Sequence, residues 1–116
     1  MVLRDYEELA LKYVWMNPEK GVSSRETFMH VNENLGETRT ISRSSIINFL
    51  NRMVDQNVLS YKEKSTKGGM KRVYFPKLDE KGFKLLISKS IIVNLLRDFP
   101  EETEQALKDL GILPPR

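Results

Sequence analysis

Hydrophobic residues recur every three or four positions along the first third of the chain, a spacing typical of amphipathic helices. Leu9 and Tyr13 lie on one face of a first predicted helix. We expect this helix to begin near Asp5, because Asp5 and Glu8 have the spacing of a capping box. Pro18 ends the helix, since the residue before a proline is pushed out of the helical region.

Two further helices are predicted before the pattern changes. Ser23 and Glu26 form a second capping box, and Gly36 is a suitable left-handed cap for the end of that helix. The third helix covers residues 42–56 and divides into a polar face and an apolar face. The centre of its apolar face is formed by Ile46, Leu50 and Met53.

Beyond residue 57 the spacing of hydrophobic residues changes from about 3.6 to 2, which favours strands. Residues 58–63 and 70–75 are predicted to be the two strands of a hairpin, with a basic tip at residues 64–69. Gly68 and Gly69 give that tip its freedom to bend. Pro76 closes the second strand, where no further ladder hydrogen bond has to be donated.

The C-terminal third is predicted to be helical and unusually apolar. A fourth helix over residues 79–98 carries hydrophobic residues on all of its sides, and a fifth helix follows Pro100 and ends at Gly111. A chain this short cannot easily bury such a helix alone, so we expect a second subunit to cover it. The predicted dimer-interface residues are Phe83, Leu86, Ile87, Ile91, Ile92, Leu95, Leu96, Leu107 and Leu110.

Length and composition limit the class of protein. The chain has 116 residues, 40% of them hydrophobic and 30% charged, and no cysteine, which excludes disulfides and thiolate metal sites. No apolar run reaches the roughly 18 residues of a membrane span. The N-terminal residues do not resemble a signal peptide, so we expect a cytoplasmic protein with no membrane partner. No cofactor is expected.

Positive charge is concentrated in the middle of the chain. Residues 37–76 hold eight basic and three acidic residues, a net charge of +5, whereas residues 1–36 have a net charge of −2. This asymmetry favours an anionic partner for the middle segment. A solvated basic face with no partner is the plain alternative.

Three helices followed by a basic hairpin are the element order of a winged helix. The predicted fold is therefore α+β, mostly α: a winged helix-turn-helix at residues 1–77 with a C-terminal helical dimerisation segment at residues 78–116, packed as one unit. The third helix would lie in the major groove of double-stranded DNA and the hairpin would meet the phosphates. The predicted DNA-binding residues are Arg39, Thr40, Ser42, Arg43, Ser44, Ser45, Asn48, Arg52, Lys62, Lys64, Lys67, Lys71 and Arg72.

Several segments resemble the penicillinase-repressor family of winged helix transcriptional regulators, which includes the methicillin-resistance and copper-transport repressors. The resemblance extends over about residues 5–105. It is carried by Leu-Ala-Leu-Lys-Tyr-Val-Trp at 9–15, Ser-Ser-Arg-Glu at 23–26, Ile-Ser-Arg-Ser-Ser-Ile at 41–46 with Leu50, Arg52 and Met53, Val-Leu at 58–59 and Arg-Val-Tyr-Phe-Pro at 72–76. It implies a homodimeric repressor whose C-terminal helices dimerise and whose two halves read a palindromic operator.

The sequence departs from this family at two positions of the third helix. Ser44 and Ile47 stand where the family often has basic residues. This helix is therefore less basic, and we expect part of its selectivity to come from thymine methyl groups or DNA shape. The C-terminal metal-binding cysteines of the copper repressors are absent, so copper sensing is not expected.

The composition leaves few alternatives to DNA binding. His30 is the only histidine, so neither a metal site nor a Ser/His/Asp set can be built around it, and we expect no enzyme activity. The alternative is a winged helix that binds another protein within a larger assembly. Such a module would be expected to carry acidic or exposed apolar residues on the third helix and hairpin, and Ile47 and Phe49 are the only hints of that kind.

Overall fold

The computed structural model describes residues 2–37 and 39–112. It contains, in chain order, α1 (Asp5–Trp15), β1 (Val22–Ser23), α2 (Ser24–Asn34), α3 (Arg43–Asp55), β2 (Leu59–Thr66), β3 (Gly69–Pro76), α4 (Glu80–Asp98) and α5 (Pro100–Asp109). The predicted mostly helical α+β class is confirmed. The packing divides the chain into a first compact unit that ends at Glu80 and a second that begins at Lys81. The final residues, 113–116, of the predicted segment 78–116 lie outside the described residues.

The first helix begins where the sequence predicts, but its cap is different. The carboxylate of Glu7 accepts a hydrogen bond from the backbone N–H of Arg4 at 2.8 Å, so Glu7 rather than Glu8 is the third residue of the helix. Asp5 is already helical, and its carboxylate accepts from the backbone N–H of Tyr6. The predicted pairing of Asp5 with Glu8 is therefore wrong by one residue. Glu8 instead forms an ion pair with Lys12 one turn further along.

The second capping box is confirmed. The Ser23 hydroxyl accepts from the backbone N–H of Glu26 at 3.1 Å, and the Glu26 carboxylate accepts from the backbone N–H of Ser23 at 3.0 Å. The backbone N–H of Ser23 thereby holds the pKa of Glu26 below its ordinary value. This reciprocal bonding fixes the point at which α2 begins.

A short strand precedes α2 that the sequence pattern does not predict. In β1, Val22 is aligned with Tyr74 and Ser23 with Val73, so the sheet has three antiparallel strands in the order β1-β3-β2. Two residues are too few to show a strand period, which is why only the tertiary structure reveals β1. Gly21 allows the chain just before β1 to approach β3 closely, because a Cβ at this position would lie 2.7 Å from the side chains of Val73 and Phe75.

The hairpin is confirmed, but its strands are longer and its tip is shorter than predicted. The β2–β3 ladder extends from Leu59 opposite Pro76 to Thr66 opposite Gly69, which leaves only residues 67–68 as the turn. The Thr66 hydroxyl donates to the carbonyl of Gly69 at 2.8 Å and closes this turn. Gly69 has a positive φ of 118°, a conformation that glycine adopts without steric cost. The predicted six-residue tip is therefore mostly paired strand.

The core of the first unit is built around α3. Its predicted apolar face is confirmed, since Ile46, Leu50 and Met53 are all buried, and Phe49 is buried beside them. These side chains share the core with buried residues of the other elements, namely Ala10, Leu11, Val14, Val22, Val31, Val58, Leu59 and Tyr74. With one face of α3 taken up by the core, its opposite face is left for the surface.

The second unit has a different character. Its helices α4 and α5 are joined by the Thr103 hydroxyl, which donates to the carbonyl of Leu95 at 3.0 Å. Many large apolar side chains of α4 are exposed, among them Leu86, Ile92 and Leu96. That a second subunit covers these apolar side chains stays a prediction. No helix in the described part of the chain is long and apolar enough to span a membrane.

Candidate nucleic-acid interface

The turn between α2 and α3 is held by one amide side chain. Asn32 accepts from the backbone N–H of Ile41 at 2.8 Å and donates to the carbonyl of the same residue at 3.2 Å. Its amide also donates to the carbonyl of Phe28 within α2. A side chain that bonds both polar groups of one backbone residue fixes the chain just before α3 begins.

The N-terminus of α3 is exposed and polar. Ser42 is the N-cap, and its hydroxyl accepts from the backbone N–H of Ser45 at 3.1 Å. The two serine hydroxyls lie 2.9 Å apart. Arg43 and Ser44 are exposed in the first turn, and Thr40 is exposed just before it. Small hydroxyl groups at a helix N-terminus suit the close approach of an anion such as a phosphate.

One polar stripe runs the length of α3 on the side opposite the core. Ser44, Asn48, Asn51 and Asp55 follow each other at intervals of four, three and four residues, so they lie one above another. Asn48 and Ser44 are exposed, and Asn51 is half-buried. The first three residues of this stripe, Ser44, Asn48 and Asn51, are uncharged. Their side chains end in hydroxyl or amide groups, which both donate and accept hydrogen bonds.

Two arginines predicted to bind DNA are paired with carboxylates of α1. A guanidinium nitrogen of Arg52 lies 2.5 Å from the Glu7 carboxylate, and the guanidinium lies 5.5 Å from the centre of the Phe49 ring. Arg39 forms an ion pair with Asp5. Both arginine side chains remain about half exposed. These pairs tie α1 to α3 and to the loop before it, so a role in DNA binding would be shared with a structural role.

On the side of α3 that faces the hairpin, Asn51 joins the helix to the sheet. Its Oδ1 atom accepts from the Tyr74 hydroxyl at 2.5 Å and from the Arg72 guanidinium at 3.0 Å. Arg72 also lies over the Tyr61 ring, 3.9 Å from its centre. Burial raises the pKa of Tyr74 above its ordinary value, which further favours the protonated hydroxyl that donates this bond. This group of four side chains sets how the hairpin meets the helix.

The strand register separates the basic residues of the hairpin onto two faces. Lys62 and Lys64 lie on one face together with Lys71, which is directly opposite Lys64. Arg72 lies on the other face, towards Asn51. Lys67 lies in the turn, and the Lys62 ammonium group stands 5.3 Å from the Phe75 ring centre. The basic hairpin residues that were predicted together as DNA-binding therefore form a lysine face and one arginine that is turned towards α3.

The predicted dimer-interface residues fall into three groups by exposure. Those exposed in the single chain are Leu86, Ile91, Ile92, Leu95, Leu96 and Leu110. Ile87 and Leu107 are half-buried, and Phe83 is buried. Four further large exposed side chains of the second unit were not among the predicted set: Leu85, Val93, Phe99 and Ile112. Because α4 is apolar on every side, its hydrophobic pattern provides no basis for choosing between faces.

Sequence reasoning also missed residues that hold the polar face in place. Glu7, Asn32 and Tyr74 all lie outside α3. Glu7 and Tyr74 bond to residues of α3 that are far away in sequence, whereas Asn32 acts through the nearby turn at Ile41. Asn51 was assigned to the polar face of the helix, but its bonds to the hairpin were not predicted. Buried polar side chains such as Glu7 could have been suspected only once their burial was known.

The fold and the exposed helix define a class of protein. A helix-turn-helix followed by an antiparallel hairpin is a winged helix, and two solved structures share this fold. The Orc1 protein from Aeropyrum pernix, in complex with DNA, superposes with a TM-score of 0.58 at 15% identity over 81% of this chain. This chain spans about a quarter (26%) of that protein's length. TA0346 from Thermoplasma acidophilum, provisionally described as a transcriptional regulator, superposes with a TM-score of 0.50 at 18% identity over 94% of this chain and 96% of the other.

The family follows from the sequence model of the penicillinase repressor, which matches residues 4–110. The chain therefore belongs to the penicillinase repressor family and is a winged helix, DNA-binding regulator of transcription. The resemblance drawn from the sequence segments is confirmed over nearly the whole chain. No curated protein matches the chain in sequence.

Proposed function

We propose that the protein is a homodimeric, sequence-specific repressor in which residues 42–56 enter the major groove and residues 62–72 bind the phosphates. The winged helix, residues 1–77, contacts the DNA, and the segment 78–116 dimerises. The observation that carries this proposal is the outward stripe of α3, in which Ser44, Asn48 and Asn51 are polar and uncharged. The hairpin that follows α3 supplies the positive charge, with Lys62, Lys64 and Lys71 on one face. A helix of this kind fits a groove about 12 Å wide.

Base reading is assigned to the first two turns of α3. Ser44, Ser45 and Asn48 lie within them, and Ser44 and Asn48 are four residues apart on one stripe. An asparagine makes two hydrogen bonds with the major-groove edge of adenine, through N6 and N7. Ser42, Thr40 and the amides of the helix N-terminus would hold phosphates on the same strand. Half-buried Ile47 offers an apolar contact to a thymine methyl group.

Phosphate binding is assigned to the hairpin. Lys64 and Lys71 face each other across the ladder, and Lys67 stands at the turn between their strands. Lysine is a flexible point charge and suits phosphates better than base edges. Arg43 adds an exposed positive charge at the start of α3. These contacts would position the protein without carrying sequence information.

Dimerisation is assigned to the second unit because of its exposed apolar surface. Ile92 is 49% exposed and Leu96 is 44% exposed, and the other large side chains of α4 add to them. Soluble monomers rarely leave large contiguous apolar patches in water. An isologous contact between two copies covers the same patch on both, and it presents two α3 helices to the two halves of a palindromic operator.

The proposal is tested by selecting bound fragments from random duplex DNA with the wild-type protein and measuring its mass by light scattering. We expect a palindromic motif and twice 13.5 kDa at micromolar concentration. Affinity for the selected motif should fall steeply as salt is raised, because phosphate contacts release counterions. A monomer, or a protein that selects no motif, would overturn the proposal. No retention on DNA at low salt would favour the protein-binding alternative.

A further inference from the structure

The orientation of the Asn51 amide is fixed by chemistry. A guanidinium group can only donate hydrogen bonds, so the Asn51 atom that faces Arg72 at 3.0 Å must be the oxygen. The Tyr74 hydroxyl donates to the same oxygen at 2.5 Å. Both lone-pair positions of Oδ1 are thereby occupied. The amide can no longer turn to exchange its oxygen and nitrogen without losing both bonds.

The nitrogen of this amide is left with a restricted role. Among the described residues, no hydrogen-bond partner is found for Asn51 Nδ2, and the side chain is half-buried on the same stripe as Ser44 and Asn48. Asn48 is exposed and not tied by such bonds, so it can offer an acceptor and a donor together. Asn51 can offer only a donor.

We propose that Asn51 reads the DNA sequence as a donor-only residue, through Nδ2, and that it selects a guanine or thymine one turn of α3 beyond the base read by Asn48. In the major groove guanine presents the acceptors N7 and O6, and thymine presents O4. At the place of these keto oxygens, cytosine presents the N4 amino donor and adenine the N6 amino donor, so neither bonds to Nδ2 there. Adenine keeps one acceptor, N7, whereas cytosine has none and is the base most strongly rejected. This inference rests on the proposed function, because it requires α3 to lie in the major groove.

The hairpin contributes to the proposed base recognition by Asn51 without contacting the base itself. Arg72 is held over the Tyr61 ring and against Asn51, so within residues 62–72 it serves as a positioning residue and leaves the phosphate contacts to the lysines. The bonds to Oδ1 remove the freedom that lets an asparagine adapt to adenine. The structure thus gives the two asparagines of one stripe different preferences.

The test is the variant Asn51→Asp, compared with wild type by selection from random duplex DNA. An aspartate keeps an oxygen for Arg72 and Tyr74, so the junction with the hairpin is retained, but it replaces the Nδ2 donor with an acceptor. We expect wild type to select guanine or thymine at one position of each half-site. Asn51→Asp should lose that preference by about tenfold and gain cytosine, whose amino group it can accept.

Asn48→Asp is the matched control, because it adds the same negative charge to the same stripe. It should weaken binding similarly overall but alter a different base position. Asn51→Ala provides a second variant in case aspartate disturbs the junction. It should accept all four bases equally at the Asn51 position, while the base preferences at the other positions stay unchanged. Thermal melting of each variant checks that the first unit is folded.

Three results would count against the inference. An unchanged motif with uniformly weaker binding in Asn51→Asp and Asn51→Ala would show that Asn51 only positions the hairpin or meets a phosphate. Selection of cytosine at its position by wild type would show that the amide is not restricted to donation, because the major-groove edge of cytosine offers only the N4 amino donor. A wild-type protein that selects no motif would overturn the proposed function together with this inference, whereas the first two results overturn the inference alone.

Discussion

The two units of the chain treat similar hydrophobic residues in opposite ways. In the first unit Leu11, Ile46 and Leu50 are completely buried within the single chain. In the second unit Leu85, Ile92 and Leu96 are 44–54% exposed, although they are residues of the same kinds. Burial of such a side chain is worth roughly 1.5–3 kcal/mol, so the second unit leaves a large favourable contribution unused in the monomer.

The difference follows from how many elements each unit has. Three helices and a three-stranded sheet surround one core in the first unit, so α3 buries one face and leaves the other exposed. The second unit has only α4 and α5, and α5 alone cannot cover every side of a helix that is apolar all round. In the first unit, stability and the proposed recognition of DNA therefore use separate faces of one helix. In the second unit, the apolar residues of the proposed interface are the same ones that the single chain leaves exposed.

The largest effect is expected from opening a cavity in the self-contained core. Leu50→Ala removes a fully buried side chain and should lower the free energy of unfolding by about 2–5 kcal/mol. Chemical denaturation followed by circular dichroism measures this loss. Asn48→Ala, an exposed substitution on the opposite face of the same helix, should cost much less. Equal losses for the two variants would contradict the assignment of an inner and an outer face.

A charge on the apolar surface of α4 is expected to separate the subunits. Ile92→Asp would leave an unpaired carboxylate in the proposed interface, and we expect the dimer dissociation constant to rise by about 100-fold or more. Light scattering across a dilution series measures it. Ser90→Asp adds the same charge to an already polar, exposed position of α4 and should change the mass much less. A dimer of unchanged affinity in Ile92→Asp would remove this surface from the interface.

A change on the polar face of α3 should affect recognition and leave assembly intact. Asn48→Ala should cost about 1–3 kcal/mol on the selected operator and far less on random duplex, because the variant cannot form the two hydrogen bonds to a base. Fluorescence anisotropy with both DNAs gives the comparison. Equal losses on the two DNAs would show that Asn48 does not read bases. A shift of the monomer–dimer equilibrium would show that the two units do not divide their tasks in this way.

The hairpin should contribute affinity without discrimination. Lys67→Ala removes an exposed charge from the turn and should weaken specific and random DNA about equally. The slope of log affinity against log salt should fall by about one for each phosphate that the variant no longer neutralises. Titrations at several salt concentrations measure the slope. Lys77→Ala, another exposed lysine outside the hairpin, is the control. A loss of discrimination at an unchanged slope would assign base reading to the turn.

The smallest effect concerns the cap of α2 in the first unit. The Ser23 backbone N–H holds the pKa of Glu26 below its ordinary value of 4.5, so the bond contributes stability above that pH. This contribution is lost as the pH falls through the lowered pKa. Because the side chain is 42% exposed, we expect only a few tenths of a kcal/mol.

Denaturation of wild type and Glu26→Gln at pH 7 and at about pH 3 tests the cap. The variant should be slightly less stable at neutral pH, and the gap should narrow in acid. Glu33→Gln changes an exposed carboxylate of the same helix that does not cap it, and it should show no such narrowing through the cap. A gap that widens in acid would contradict the sign of the linkage.

The sequence by itself determined the order of the five helices and the hairpin, the helix ends with strong local signals and the two faces of α3. These properties depend on neighbouring residues: the Ser23–Glu26 box and the spacing of Ile46, Leu50 and Met53 are complete within one or two helical turns. The same local rule placed the cap of α1 one residue too late, because Asp5 and Glu7 both offer a carboxylate to the first turn.

Only the tertiary structure decided which polar groups meet. Arg52 finds Glu7 45 residues away, and Asn51 receives Arg72 and Tyr74 from a strand more than 20 residues further along. The pleat then turns Arg72 and its lysine neighbours to opposite sides of the hairpin. Such pairings depend on how the elements pack, and no periodicity in the sequence encodes them. The sequence could therefore place polar residues on the face of α3, and the fold decided which of their atoms are left to bind.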